Sequence, residues 1–221
     1  MTIVSVNVGR PRTVRWKRKE VTTGIFKTPV AGTVRVRRLN LDGDEQADLT
    51  VHGGEDKAVY AYPVEHYAFW RDELPGMELP CGAFGENLTT EGLDEVEVRV
   101  GDRYRVGTAE VLVTQPRVPC FKLGIRLGRD DVVACFLRSG RSGFYLAVTR
   151  EGEVSVGATI ERLEQGDPRL SVAALARLYR ERPDDAASRE VMALGVETGA
   201  LAESWRYFFR RRLARGPADG D

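Results

Sequence analysis

The run Arg103-Tyr104-Arg105-Val106-Gly107-Thr108-Ala109-Glu110-Val111-Leu112-Val113 sets two segments, each reading as a strand, on either side of Gly107-Thr108. A period of two places one face of a strand in a core, and the Gly-Thr step reads as a hairpin turn. The pattern recurs outward from this hairpin. Residues 1–8 read as an opening strand, and 34–39 and 96–100 alternate apolar with charged positions. Residues 144–148 form another strand, closed by a turn at 150–153. Many short strands punctuated by glycine and proline predict a mainly β fold, a closed or nearly closed β-barrel over residues 1–165. One helix is expected to be inserted in it, over 63–74, with Pro63 in the first turn and Val64, Tyr67, Ala68 and Trp70 at helical spacing.

The character changes at Gly166-Asp167-Pro168. Helical patterns over 171–180, 185–194 and 200–213 predict a small three-helix C-terminal unit spanning 168–215. Ser171 and Asp184 stand where N-caps belong, and Gly195 with Gly199 is expected to divide the second helix from the third.

Beyond the hairpin the chain runs into Gln115-Pro116-Arg117-Val118-Pro119-Cys120-Phe121-Lys122. Proline fixes φ and holds the preceding residue extended, so the backbone leading to Cys120 is expected to be stiff. Arg117 and Lys122 flank the thiol and would favour its thiolate, the form that attacks electrophiles and binds soft metals. A buried cysteine at a strand end is the plain alternative.

Composition narrows the function. Lys plus Arg and Asp plus Glu number 33 each, giving zero formal net charge, which argues against a general nucleic-acid coat. Cys81, Cys120 and Cys135 form no CxxC pair, so no disulfide framework is expected and a reduced, cytoplasmic setting is the better reading. No apolar run approaches the roughly 18 residues of a membrane span, and the N-terminal segment reads as a strand, not a signal peptide. Neither a membrane nor a stable nucleic-acid partner is expected. Lysine is scarce, confined to Lys17, Lys19, Lys27, Lys57 and Lys122, as though kept where a compact ammonium is wanted.

Four segments are richer in reactive side chains than a barrel requires. Residues 24–30 set Lys27 beside a hydroxyl and a turn. Residues 42–60 place acids, His52, Asp56 and Lys57 around two glycines. Residues 84–92 hold Glu86, Asn87 and two threonines. Residues 138–143 alternate Arg138 and Arg141 with serine and glycine, a composition suited to binding phosphate through backbone N–H groups and bidentate guanidinium. Only His52 and His66 are present, without HxH or HExxH spacing, so a zinc site has no support. One thiolate on a metal whose other ligands come from a cofactor is the more economical idea.

Three motifs in order, His52-Gly53-Gly54-x-Asp56-Lys57-Ala58-Val59-Tyr60-Ala61-Tyr62-Pro63, Phe84-Gly85-Glu86-Asn87-Leu88-Thr89 and Pro116-Arg117-x-Pro119-Cys120-x-Lys122, strongly resemble MOSC domains, the molybdenum-cofactor sulfurase C-terminal type, in their YiiM-type branch. The resemblance covers essentially the whole chain, the terminal helices included. It implies a MOSC-type β-barrel holding molybdopterin, with Cys120 the sole protein ligand to molybdenum. The implied activity is reduction of N-hydroxylated compounds, notably hydroxylaminopurine-type base analogues, as detoxification. Lys27, Arg117, Lys122, Arg138 and Arg141 become candidates for the pterin phosphate and carbonyl, and His52, Asp56 and Lys57 for proton delivery or substrate orientation. A persulfide on Cys120 for sulfur transfer, or a non-enzymatic molybdopterin-binding module, are the alternatives. With three cysteines and no GxGxxG, the electrons are expected from a separate reductase. The last helix, with Trp205, Tyr207, Phe208 and Phe209 among arginines, either docks that partner, packs a homodimer or covers the barrel.

Overall fold

The computed structural model describes residues 1–47 and 53–215. In chain order the elements are β1 (Thr2–Val8), β2 (Arg12–Trp16), β3 (Lys19–Thr23), β4 (Thr28–Pro29), β5 (Val34–Val36), β6 (Val59–Pro63), α1 (His66–Glu73), β7 (Leu88–Glu91), β8 (Arg103–Val106), β9 (Ala109–Pro116), α2 (Phe121–Leu127), α3 (Val132–Ser139), β10 (Phe144–Arg150), β11 (Gly152–Val154), β12 (Ile160–Glu164), α4 (Val172–Glu181), α5 (Ala186–Glu197) and α6 (Glu203–Leu213). The hairpin forms as its alternation dictates: Tyr104 and Val106 of β8 are buried with Ala109, Val111 and Val113 of β9. Eight strands build one mixed sheet in the order β12-β8-β9-β10-β6-β7-β1-β4. Only β6 and β7 run parallel in it.

The expected mainly β, closed barrel needs correction. Among the described residues no closed barrel is found: the edge strands β12 and β4 do not pair, and β1 meets the approach to β12 through the isolated bridge Thr2–Thr159. Helix and strand contents are about equal. The largest source of the difference is α2 and α3, where one inserted helix was expected. Both are short, and their buried residues Leu123, Leu127, Val132 and Phe136 pack with Tyr62, Trp70 and Phe84 in an aromatic cluster. Two turns of helix carry little periodic signal, so tertiary packing decides their form.

Smaller corrections have local causes. Residues 96–100 alternate yet form turns, because Val98 and Val100 bond to the C-terminal unit: Val172 N–H donates to the Val98 carbonyl and Val100 N–H to the Leu170 carbonyl. Pro63 closes β6 opposite Thr90, so α1 starts at His66. Ser171 does cap α4, accepting from Ala174 N–H, but Asp185 rather than Asp184 caps α5, accepting from Ser188 N–H. Gly195 lies inside α5, where a Cβ would come 3.2 Å from Leu201 and Phe209 side chains, so close packing and not helix termination uses that glycine. Only Glu151 separates β10 from β11, where a longer turn was expected.

The C-terminal helices share the core of the sheet. Leu175, Leu178, Met192, Trp205 and Phe209 lie in one buried cluster with Val98, Val113 and Leu146. Ala202 N–H donates to the Thr114 carbonyl of β9 at 3.2 Å. Among the described residues no helix is long and apolar enough to cross a membrane.

Candidate functional site

β9 delivers the thiol. After Pro116 the Arg117 N–H donates to the Gly143 carbonyl at 3.2 Å, holding the connection against the start of β10. Cys120 is extended (φ −129°, ψ 174°) and forms the N-cap of α2, its carbonyl accepting from Leu123 N–H at 2.9 Å. The side chain is partly exposed and stands where two recesses meet. One is a cleft whose wall includes Lys27, Asp44, Lys57, Arg117 and Lys122. The other, about 300 Å³, opens toward the C-terminal helices and includes Gln115, Tyr179, Ser204, Trp205 and Phe208. Lys57, Val118, Cys120 and Tyr145 line both.

Arg117 is the electrostatic centre of the cleft. It is 6% exposed, with its guanidinium 5.1 Å from the Tyr60 ring centroid and 4.9 Å from that of Phe136. No carboxylate among the described residues forms an ion pair with it, and its Nη1 is buried without a hydrogen-bond partner. A buried cation lacking a counter-charge is costly, and a guanidinium is shaped to receive an oxyanion. Lys122 joins the same wall from the first turn of α2.

Lys27 also lines the cleft, but its charge is matched. It pairs with Asp44, which accepts as well from Gly9 N–H and from Asn87 Nδ2, both at 2.9 Å. Burial holds the Lys27 pKa below the ordinary lysine value, against the pull of Asp44 and Glu86 in the other direction. Lys57 ends a single 3-10 turn, Glu55–Lys57, and burial lowers its pKa too, with Asp56 opposing. Asp56 lines neither recess; its carbonyl accepts from the Thr114 hydroxyl at 2.6 Å, tying the turn to β9. His52 lies outside the described residues.

The structure does not bring Arg138 or Arg141 to the cleft. Arg138 Nη2 donates to Cys135 Sγ at 3.2 Å, and the Arg141 guanidinium lies 3.9 Å over the Phe69 ring. Their loop presents carbonyls: Tyr60 OH donates to Ser142 O at 2.9 Å and Tyr62 OH to Arg141 O at 3.3 Å. The loop's Gly143 N–H is already taken by a carboxylate of the fold, donating to Glu95 Oε1 at 2.7 Å. Of the last helix, Trp205 and Phe209 are buried, whereas Tyr207 is exposed and Arg206 and Arg210 pair with Glu203. Among the described residues no three His, Cys, Asp or Glu are grouped to hold a metal by themselves.

Sequence reasoning missed Asp44, Gln115 and Tyr145 as parts of the site. Asp44 was one acid among several on its loop. Gln115 and Tyr145 meet because the β9–β10 register pairs them, a fact no local pattern carries.

Residues 48–161 match the MOSC domain family, and the chain belongs to that family. It is 41% identical over 215 residues to the uncharacterized protein YflK of Bacillus subtilis, an alignment covering 97% of this chain and 95% of that one. The fold is YiiM-like: the crystal structure of YiiM from Geobacillus stearothermophilus matches with a TM-score of 0.80 at 39% identity, over 96% of this chain and 98% of that one. A protein named Reductase from Gibberella moniliformis is 37% identical over 166 residues, which span 74% of this chain and 29% of that protein.

Proposed function

We propose that this chain is a molybdenum-cofactor-dependent reductase of N-hydroxylated compounds, including hydroxylaminopurine-type base analogues, that serves to detoxify them. The observation that carries the reading is the buried Arg117, without an ion-paired acid among the described residues and with its Nη1 orphaned, in one cleft with a partly exposed thiol, Lys57 and Lys122. This donor set fits molybdopterin, which brings a phosphate for the cations and a metal for a soft sulfur ligand. Cys120 holds the metal. Arg117 and Lys122 hold the phosphate, and Lys27, already paired with Asp44, directs its remaining N–H groups to a neutral acceptor such as a pterin carbonyl. When bound, the cofactor supplies the electron pair that breaks the N–O bond. Lys57, beside Cys120 in both recesses, gives the proton with which the hydroxyl departs as water, and a second proton, drawn from solvent, completes the amine on the nitrogen. The reductase-named relative supports a redox role.

The test is elemental analysis of protein made in a host that synthesises molybdopterin, followed by turnover of hydroxylaminopurine with reduced viologen. Near-stoichiometric molybdenum with turnover is expected. Metal without turnover would reduce the chain to a cofactor-binding module, and a Cys120 heavier by one sulfur atom would point to a persulfide carrier.

A further inference from the structure

The reductase reading leaves the second recess without an occupant, and its lining is specific. Tyr179 of α4 and Trp205 and Phe208 of α6 form an aromatic cluster with ring centroids 5.5–6.4 Å apart. Opposite, Gln115 of β9 is 3% exposed, yet its side-chain amide makes no hydrogen bond among the described residues and its Oε1 is buried and unpartnered. An unsatisfied buried amide costs free energy that an apolar side chain of similar shape would not. Its presence beside the aromatic wall of the recess is explained by a ligand that completes it. The recess offers about 300 Å³, at the lower end of the range of small-molecule sites, and Cys120 and Lys57 stand at its junction with the cleft.

We infer that this recess is a substrate subsite built by the C-terminal helices: a planar nitrogen heteroaromatic ring lies against Trp205 and Phe208, Gln115 hydrogen-bonds its polar edge, and the N-hydroxyl group points to Cys120. Gln115 is thus a specificity-determining residue, since an amide both donates and accepts and so matches the ring-nitrogen and amino edge of a base. The assignment rests on the reductase reading for the orientation of the ligand, though not for the binding of the ring. A site that hydrogen-bonds a ligand edge discriminates more strongly than an apolar pocket does.

Two measurements on the full-length protein test it. In the first, Trp205 fluorescence is titrated with adenine; quenching is expected, and it should vanish in Trp205→Phe. In the second, kcat/KM is compared for hydroxylaminopurine and acetohydroxamic acid, with reduced viologen as donor. Gln115→Met and Phe208→Leu should each lower the heteroaromatic-to-aliphatic ratio by about tenfold or more. Gln115→Met should keep or raise the melting temperature, which separates loss of recognition from loss of fold. Quenching that persists in Trp205→Phe, or equal losses on both substrates, would overturn the subsite. Adenine quenching in a protein that turns over neither substrate would sink the reductase reading and support the subsite.

Discussion

Lys27 and Asp44 are ion-paired inside the wall of the thiol-bearing cleft, their side chains 9% and 1% exposed. A lysine so placed is neutralised before any ligand arrives, which shifts the task of meeting an anion to Arg117. Removing one partner of a buried pair strands the other. Lys27→Met leaves the Asp44 carboxylate with only Gly9 N–H and the Asn87 amide, and a loss of about 3 kcal/mol is expected in denaturant unfolding. The double variant Lys27→Met/Asp44→Asn should recover part of that loss; strictly additive losses would argue that the two do not act as a pair.

Cys120→Ser should lose bound molybdenum and turnover while folding normally, because a serine hydroxyl gives no soft anionic ligand at neutral pH. Cys81→Ser and Cys135→Ser should keep both, since neither lines either recess. Metal content per chain decides it, and equal depletion in all three variants contradicts a single-ligand site.

Arg117→Met should lower molybdenum content strongly at little cost to folding, for the guanidinium has no ion-paired carboxylate among the described residues to abandon. Arg138→Glu and Arg141→Glu should leave the content unchanged, because both side chains are engaged elsewhere, on Cys135 and Phe69. Depletion in the two charge reversals with full loading of Arg117→Met would move the phosphate to the other loop.

Lys57 fixes the sign of a pH dependence. Burial places its pKa below the ordinary lysine value, and a proton donor acts only while protonated. Turnover should therefore be present at lower pH and fall as pH rises through that lowered pKa, ahead of the point at which an unperturbed lysine would titrate. Lys57→Arg, whose guanidinium does not release its proton, should lower turnover at every pH, and a pH–rate profile unchanged by the substitution would argue against Lys57 as the donor.

Electrons set a further expectation. Each reduction consumes two, and the three cysteines fall short of the four thiolates of an iron–sulfur cluster. NADPH alone should not drive the purified protein, whereas reduced viologen or a separate reductase should. Turnover with NADPH in flavin-free protein would show the partner to be unnecessary.

The hairpin β8–β9 and the thiol turn after it were legible because both are local: a period of two, then two prolines. The three C-terminal helices were legible through amphipathic spacing and one correctly placed cap, Ser171. Arg138 and Arg141 misled because a Gly/Ser/Arg loop has the composition of an anion nest whichever way it faces, and the phenols of Tyr60 and Tyr62, distant in sequence, turn its carbonyls inward. Residues 96–100 misled because Val98 and Val100 bond to Val172 and Leu170, distant in sequence, a contact periodicity cannot report. Asp44 became distinctive only when the fold set it against Lys27.

The strip of Lys57, Val118, Cys120 and Tyr145 belongs to both recesses, and this sharing bears on timescales. Two occupants that touch only across such a narrow saddle can have unrelated residence times. A guest gripped by Arg117 on one side would be free to stay while a guest beside Trp205 came and went. The Cys120 sulfur sits at the watershed, so departure on the one side would not loosen what is held on the other.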